Sequence, residues 1–209
     1  ACEFSGVVRR AFRVLGHDAW SCDLLPAEDG SAHHFQKDVF EVIYSGDFYH
    51  HPQWDLMIAH PPCTHLAVSG ARWFKEKVKE QAGALEFVQR LMDAYPCERI
   101  ALENPVSIIS SRIRKPDQII QPWQFGHKET KMTCLWLKGL PKLVPTKVFQ
   151  PPHPKFWTPA ERREWNKCHY ASPGPERWKL RSRSYEGIAQ AMAQQWGGLN
   201  GTRGDNVHE

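Results

Sequence analysis

With 209 residues, 41% of them hydrophobic and 24% charged, the chain is long enough for one domain with a sizeable core and ordinary in composition for a globular protein. No apolar run approaches the ~18 residues that span a bilayer, and Glu3, Arg9 and Arg10 interrupt the start, so neither a membrane partner nor a cleavable leader is expected. The net charge of +4 is small, but basic residues crowd the second half, interleaved with Trp123, Trp136, Trp157, Trp165 and Trp178. Such a mixture suits a phosphate backbone with accessible bases, and equally a solvated basic face over core tryptophans.

In chain order, "SGVVRRAFRVLG" predicts a helix from about Gly6 to Leu15, with Val7, Val8, Ala11, Phe12 and Leu15 on one stripe and Gly16 as the stop. "AWSCDLL" reads as a short strand ending at Asp23 and closed by Pro26, and "WDLMIAH" as a buried strand. From Trp73 to Tyr95 the spacing of Val78, Leu85, Val88, Leu91 and Met92 predicts a long amphipathic helix. "ERIALENP" and "TKMTCLWLKG" are the next strands, the latter closed by Gly139 and Pro141.

Strands alternating with helices indicate an α/β fold with a mostly parallel sheet. The pattern then breaks: eight prolines fall between Pro141 and Pro175, with a short helix expected over Pro159 to Trp165. A last helix, "YEGIAQAMAQQW", precedes a Gly-rich polar tail expected to be disordered. The expected organisation is therefore a main domain over 1–140 and 180–197, a basic Pro/Trp-rich insertion over 141–179, and a tail over 198–209.

Ligands of such sheets bind at the carboxyl ends of the strands. That rule selects Glu3 to Gly6, Asp23, His60 to Thr64, and Glu103 to Pro105. "EFSG" opening a helix is either an N-cap turn or the tight turn where a cofactor meets helix amides. Asp23 is either a ribose-hydroxyl acceptor or a plain turn aspartate, and Asp38 either an adenine partner or an exposed acid. Cys63 lies just past a strand, where loops carry chemistry, and His60 and His65 beside it favour an ionised thiol. Glu103 ends another strand, where partial burial favours a carboxyl that keeps its proton at neutral pH and acts as an acid. The six cysteines include no CxxC pair, which points to a reducing, cytoplasmic setting and to no metal site. The pairs His33-His34 and His50-His51 read as surface histidines.

"EFSG", "CDLL", "KDVF", "HPPC", "LENP" and "RSRSYEGIAQAMAQQWG" fall in the order of the motifs of DNA cytosine-5 methyltransferases. The chain resembles the short, phage-type branch of that family from roughly Ala1 to Gly197, most specifically in "PPC" and "LENP" about 40 residues apart. The resemblance implies a Rossmann-like fold, S-adenosylmethionine as cofactor, and a cytosine flipped out of DNA as substrate for a monomeric enzyme of the bacterial cytoplasm or nucleoid.

By the same resemblance Cys63 attacks carbon 6 and Glu103 binds N3. Glu3, Phe4, Ser5, Gly6, Asp23, Asp38, Pro61, Ser184 and Tyr185 serve the cofactor, with Phe4 stacking on the adenine. Pro62, Asn104, Lys131, Arg181 and Arg183 serve the DNA. Two alternatives stand beside it: a transferase acting on a pyrimidine nucleotide or moving another group, and an inactive DNA-binding homologue. The apolar strand that such folds place before the first Gly turn is reduced here to "ACEF".

Overall fold

A computed structural model describes residues 1–44, 54–175 and 177–199. His50, His51 and all but two residues of the expected disordered tail lie outside these.

The centre of the molecule is β4, Ile100–Pro105. On one side it pairs in parallel with β3, Met57–Ala59. On the other it pairs antiparallel with β6, Thr133–Lys138, from Ile100 opposite Lys138 to Pro105 opposite Thr133. An edge strand, β5 (Gln118–Ile120), runs antiparallel to β6, giving the order β3-β4-β6-β5. A separate parallel pair joins β1 (Ser21–Asp23) to β2 (His34–Gln36). The sheet is thus mixed rather than mostly parallel. The chain from β5 returns directly into β6, and an antiparallel neighbour needs no crossover helix.

The first residues join the two groups of strands. Ala1 N donates to Ile58 O at 2.6 Å and His60 N to Ala1 O at 2.9 Å, while Glu3 N donates to Cys22 O at 3.0 Å on the other side. Ala1 to Glu3 therefore occupies the gap between β1 and β3.

Alternation along the strands builds two cores. Met57, Ala59, Ile100, Leu102, Cys134 and Trp136 face Val88 and Leu91 of α3 (Val78–Met92) and Phe40 of α2 (Val39–Tyr44). Ile58, Ala101 and Leu135 face Val8 and Phe12 of α1 (Val7–Val14) and Ile188, Met192 and Trp196 of α8 (Glu186–Trp196). Helices thus cover both faces, which explains why β4 reads as an unbroken apolar run up to Glu103.

The helix expected from Trp73 begins only at Val78. Before it, Val68–Glu76 is a 3-10 stretch with no buried residue. Its start is pinned, because Val68 N bonds Val106 O and Ile108 N bonds Leu66 O, so the chain is tied to the end of β4 before it can wind into an α-helix. In the Pro-rich region the expected helix is α5 (Pro159–Trp165), started by Pro159 and by a reciprocal Thr158–Glu161 capping box. Short helices α6 (Lys167–Tyr170) and α7 (Arg177–Ser182) follow, and α4 is a single turn over Ile109–Arg112.

Candidate active site

Two loops leave the carboxyl ends of the parallel strands β3 and β4 and are fastened to each other. Asn104, fully buried, donates its side-chain amide to Pro61 O at 2.9 Å. Beyond it, Ala67 and Ser107 form an antiparallel bridge. Between these two fastenings runs His60-Pro-Pro-Cys63, and Cys63 O accepts from Leu66 N and Ala67 N, closing a tight turn around the thiol. The two prolines fix φ and leave little freedom to that turn. Pro61 is buried, Pro62 exposed and Cys63 half-buried at the loop's surface.

Glu103 leans toward the same loop. Its Oε2 lies 3.0 Å from Nδ1 of His60, with side-chain exposures of 19% for Glu103 and 10% for His60. Among the described residues six buried side-chain polar atoms lack a partner, and four of them belong to these loops: His60 Nε2, His65 Nδ1, Asn104 Oδ1 and Ser107 Oγ. Buried polar groups are nearly always paired, so these loops hold most of the exceptions among the described residues.

The charges differ from the expectation drawn from sequence. Burial pushes the Glu103 carboxyl up, but the hydrogen bond and charge of His60, with Lys131 beyond, outweigh it and hold the group below the ordinary glutamate value. Glu103 is therefore a carboxylate at rest and does not store a proton. Cys63 also departs from expectation. Burial raises its pKa and the Glu103 charge raises it further, against a smaller pull from Lys131 and Arg181. The resting pair is a neutral thiol beside a charged carboxylate.

Lys131 is held near Glu103, its Nζ donating to Arg181 O at 3.0 Å and standing 5.5 Å from the centre of the Tyr185 ring. A small cavity beside it is walled by His60, Glu103, Lys131, Arg183, Ser184 and Tyr185, so the two ends of the chain's site residues meet there. Tyr185 keeps its phenolic proton, first because it is buried and then because the Glu129 carboxylate is close.

No family model, curated protein or solved structure matches this chain.

The residues expected to serve a cofactor lie around the start of α1. Gly6 has φ +65°, and a Cβ there would meet Arg9 Nη2 at 2.3 Å, so the turn requires glycine twice over. Glu3 is buried and turned onto the helix, its oxygens accepting from Val8 N at 2.7 Å and Arg9 N at 3.3 Å. Phe4 is buried too, with the Trp178 ring 5.6 Å away and tilted against it. Asp23 accepts from Leu25 N at 2.9 Å, and Asp38 accepts from Phe40 N at 2.8 Å at the start of α2. Both thus hold local turns.

Ser5, Ser184, Tyr185, Arg181 and Arg183 line a cleft of about 670 Å³, together with Arg10, Glu28, Asp29, His127 and Glu129. Arg183 pairs with Glu28, and Asp29 bonds both Arg9 and Arg10. The loop after β1 therefore folds back over the Gly6 turn. Neither the His60–Glu103 contact nor this acidic strap was readable beforehand. The first spans 43 residues and the second up to 155, and no local pattern encodes either distance.

Proposed function

We propose that the chain is a DNA cytosine-5 methyltransferase, the activity its motifs resemble. One observation carries the reading: the Cys63 turn and the Glu103 strand end are fastened together by Asn104, and most of the unpartnered buried polar atoms lie at that junction. The sheet with helices on both faces is consistent with a Rossmann-like domain, and the cleft of about 670 Å³ falls within the range of small-molecule sites.

S-adenosylmethionine fits the side chains of this cleft. Arg10 suits a carboxylate, Glu28 and Asp29 an ammonium, and Ser5 and Ser184 supply hydroxyls. By the resemblance Phe4, Asp23 and Asp38 would serve the adenosine, although none of them lines this cleft. When bound, such a cofactor supplies an electrophilic methyl group.

The chain's own residues prepare the base. A cytosine N3 placed against Glu103 needs a proton there, and the Cys63 thiol holds one. Moving that proton from Sγ to the carboxylate removes the negative charge that raises the thiol pKa, and leaves Lys131 and Arg181 favouring the thiolate. The thiolate then attacks carbon 6, and N3 takes the proton from Glu103. Covalent attack divides a hard substitution at carbon 5 into easier steps. Basic residues of the region 141–183 supply contacts to phosphate, which position the duplex without reading its sequence.

Incubation with methyl-labelled S-adenosylmethionine and either DNA or dCMP tests this reading. Label is expected at carbon 5 of cytosine in DNA. Label in dCMP alone would make the protein a nucleotide transferase, and no transfer to either substrate would overturn an enzymatic reading.

A further inference from the structure

We propose that His60 is a positioning residue for Glu103, donating Nδ1–H to Oε2 so that the carboxyl's other oxygen is left to face N3 of the bound pyrimidine. The inference rests on the reading of Cys63 and Glu103 given above, but gives His60 a role toward Glu103 that the resemblance does not.

The geometry has three parts. The contact is short, at 3.0 Å, and joins the first residue after β3, whose N–H is held by Ala1 O at 2.9 Å, to Glu103 of β4, so the backbone fixes both partners. The ring is nearly enclosed, 10% exposed, so its orientation is set by packing and not by solvent. Its second nitrogen, Nε2, has no partner, so the bond to Glu103 is the ring's one polar tether among the described residues. Around this cavity Lys131 precedes β6 and Cys134 lies on it, while Arg181, Arg183 and Tyr185 precede α8; Cys63 acts from the neighbouring loop and Glu129 from beside Tyr185.

Chemically, the bond matters most in the covalent step. As the Sγ–C6 bond forms, the C5=C6 pair moves to C4–C5 and the C4=N3 pair moves onto N3. N3 then takes the proton from the Glu103 oxygen facing it. Glu103 is left as a carboxylate, and the Nδ1–H of His60 is already aimed at it. After methyl transfer N3 gives its proton back to Glu103, a water molecule takes the proton from C5, that C–H pair becomes C5=C6, and the sulfur leaves as thiolate; His60 has not changed its protonation. Because the bond already holds the resting carboxylate, it acts by keeping the second oxygen aimed at N3, and a hydrogen bond to a charged group corresponds to about 10- to 100-fold in rate. The same bond also favours the carboxylate in the empty site, in keeping with the lowered Glu103 pKa.

The test uses His60→Phe, which fills the space without a donor, and His60→Gln, which restores an N–H. Two readouts are needed. Carbon-13 NMR titration of the Glu103 carboxyl, assigned by its loss in Glu103→Gln, is expected to move to higher pH in His60→Phe and back toward wild type in His60→Gln. Single-turnover trapping on DNA bearing 5-fluorocytosine is expected to slow about 10- to 100-fold in His60→Phe, with DNA affinity unchanged and partial rescue in His60→Gln.

An unmoved titration, or a loss that lies wholly in DNA affinity, would overturn the role of His60. If the wild type traps no DNA while the titration still shifts, the methyltransferase reading fails and the pairing survives. If trapping is slowed by Glu103→Gln but not by His60→Phe, the pairing alone fails.

Discussion

At the residue scale the site is a balance between one thiol and one carboxylate. Cys63 keeps its proton because it is buried and because Glu103 is charged, and Glu103 is charged because His60 and Lys131 outweigh its own burial. Removing the Glu103 charge takes away one of the two causes that raise the thiol. Glu103→Gln is therefore expected to lower the pH at which Cys63 becomes reactive, seen as faster iodoacetamide labelling of the Cys63 peptide at pH 8. The same variant should slow methyl transfer, since it cannot give a proton to N3. Lys131→Ala should do the reverse to the thiol, making labelling slower. Opposite effects on thiol reactivity from two neighbours would show that both charges reach the sulfur. Cys63→Ser should abolish transfer and trapping while the protein still binds DNA and cofactor, and serine transfer at the native rate would remove Cys63 from the mechanism.

At the element scale, what matters is how loops are held to strands. Asn104 is buried at the end of β4, and its amide is the bond that ties the Pro61–Cys63 turn in place. Asn104→Ala leaves Pro61 O without its donor and is expected to cost about 1–3 kcal/mol by urea denaturation. Transfer should fall by more than the lost stability explains, because the turn that aims the thiol is released. Gly187 does the equivalent work for the other wall of the cleft. A Cβ there would lie 1.8 Å from Phe125 O, and Gly187 N donates to His127 Nε2 at 2.9 Å. Gly187→Ala should therefore push the start of α8, with Ser184 and Tyr185, off the Phe125–His127 turn, and cost at least the 1–3 kcal/mol typical of overpacking.

These elements were unevenly legible. β4, β6 and α8 could be read because long apolar patterns survive any tertiary context. β2 and β5 could not: "HFQ" and "QII" are three residues each, and their strand character comes from a neighbour rather than from their own sequence. The cysteine, the glutamate and the Gly turn were visible as residues at strand ends. Their charge states were not, because the deciding partner of Glu103 is a histidine 43 positions away, and sequence spacing cannot tell a carboxyl that is buried alone from one buried beside a hydrogen-bonding ring.

At the scale of the whole molecule, the two ends of the chain are joined across the cleft by charge. Asp29 receives both Arg9 and Arg10. Burial works against its ionisation, but the hydrogen bonds from Arg9 and Arg10 lower its pKa to about 2. A depressed carboxyl stabilises the fold above its unfolded pKa of about 3.9 and loses that contribution as pH falls toward 2. The strap over Gly6 should therefore stay closed at pH 5 and above. Below pH 4 the native protein should lose stability faster than Asp29→Asn does, which denaturation midpoints at pH 6 and pH 3 would reveal. A wild-type loss no steeper than the variant's would mean that the strap contributes nothing.

Glu28 and Arg183 make the longer bridge, from the loop after β1 to the residues entering α8. In the free protein Arg183 is paired with an acid at the mouth of the cleft, so a phosphate must displace Glu28 to use that guanidinium. Glu28→Gln frees Arg183 and is expected to tighten DNA binding a few-fold, because an exposed pair of this kind contributes about 0–1 kcal/mol. Arg183→Ala should weaken binding and make the slope of log K against log salt shallower by about 0.9, the contribution of one phosphate contact on duplex DNA. Binding isotherms at several salt concentrations separate the cases. An unchanged slope in Arg183→Ala would mean that this arginine serves the protein's own closure and not a nucleic acid.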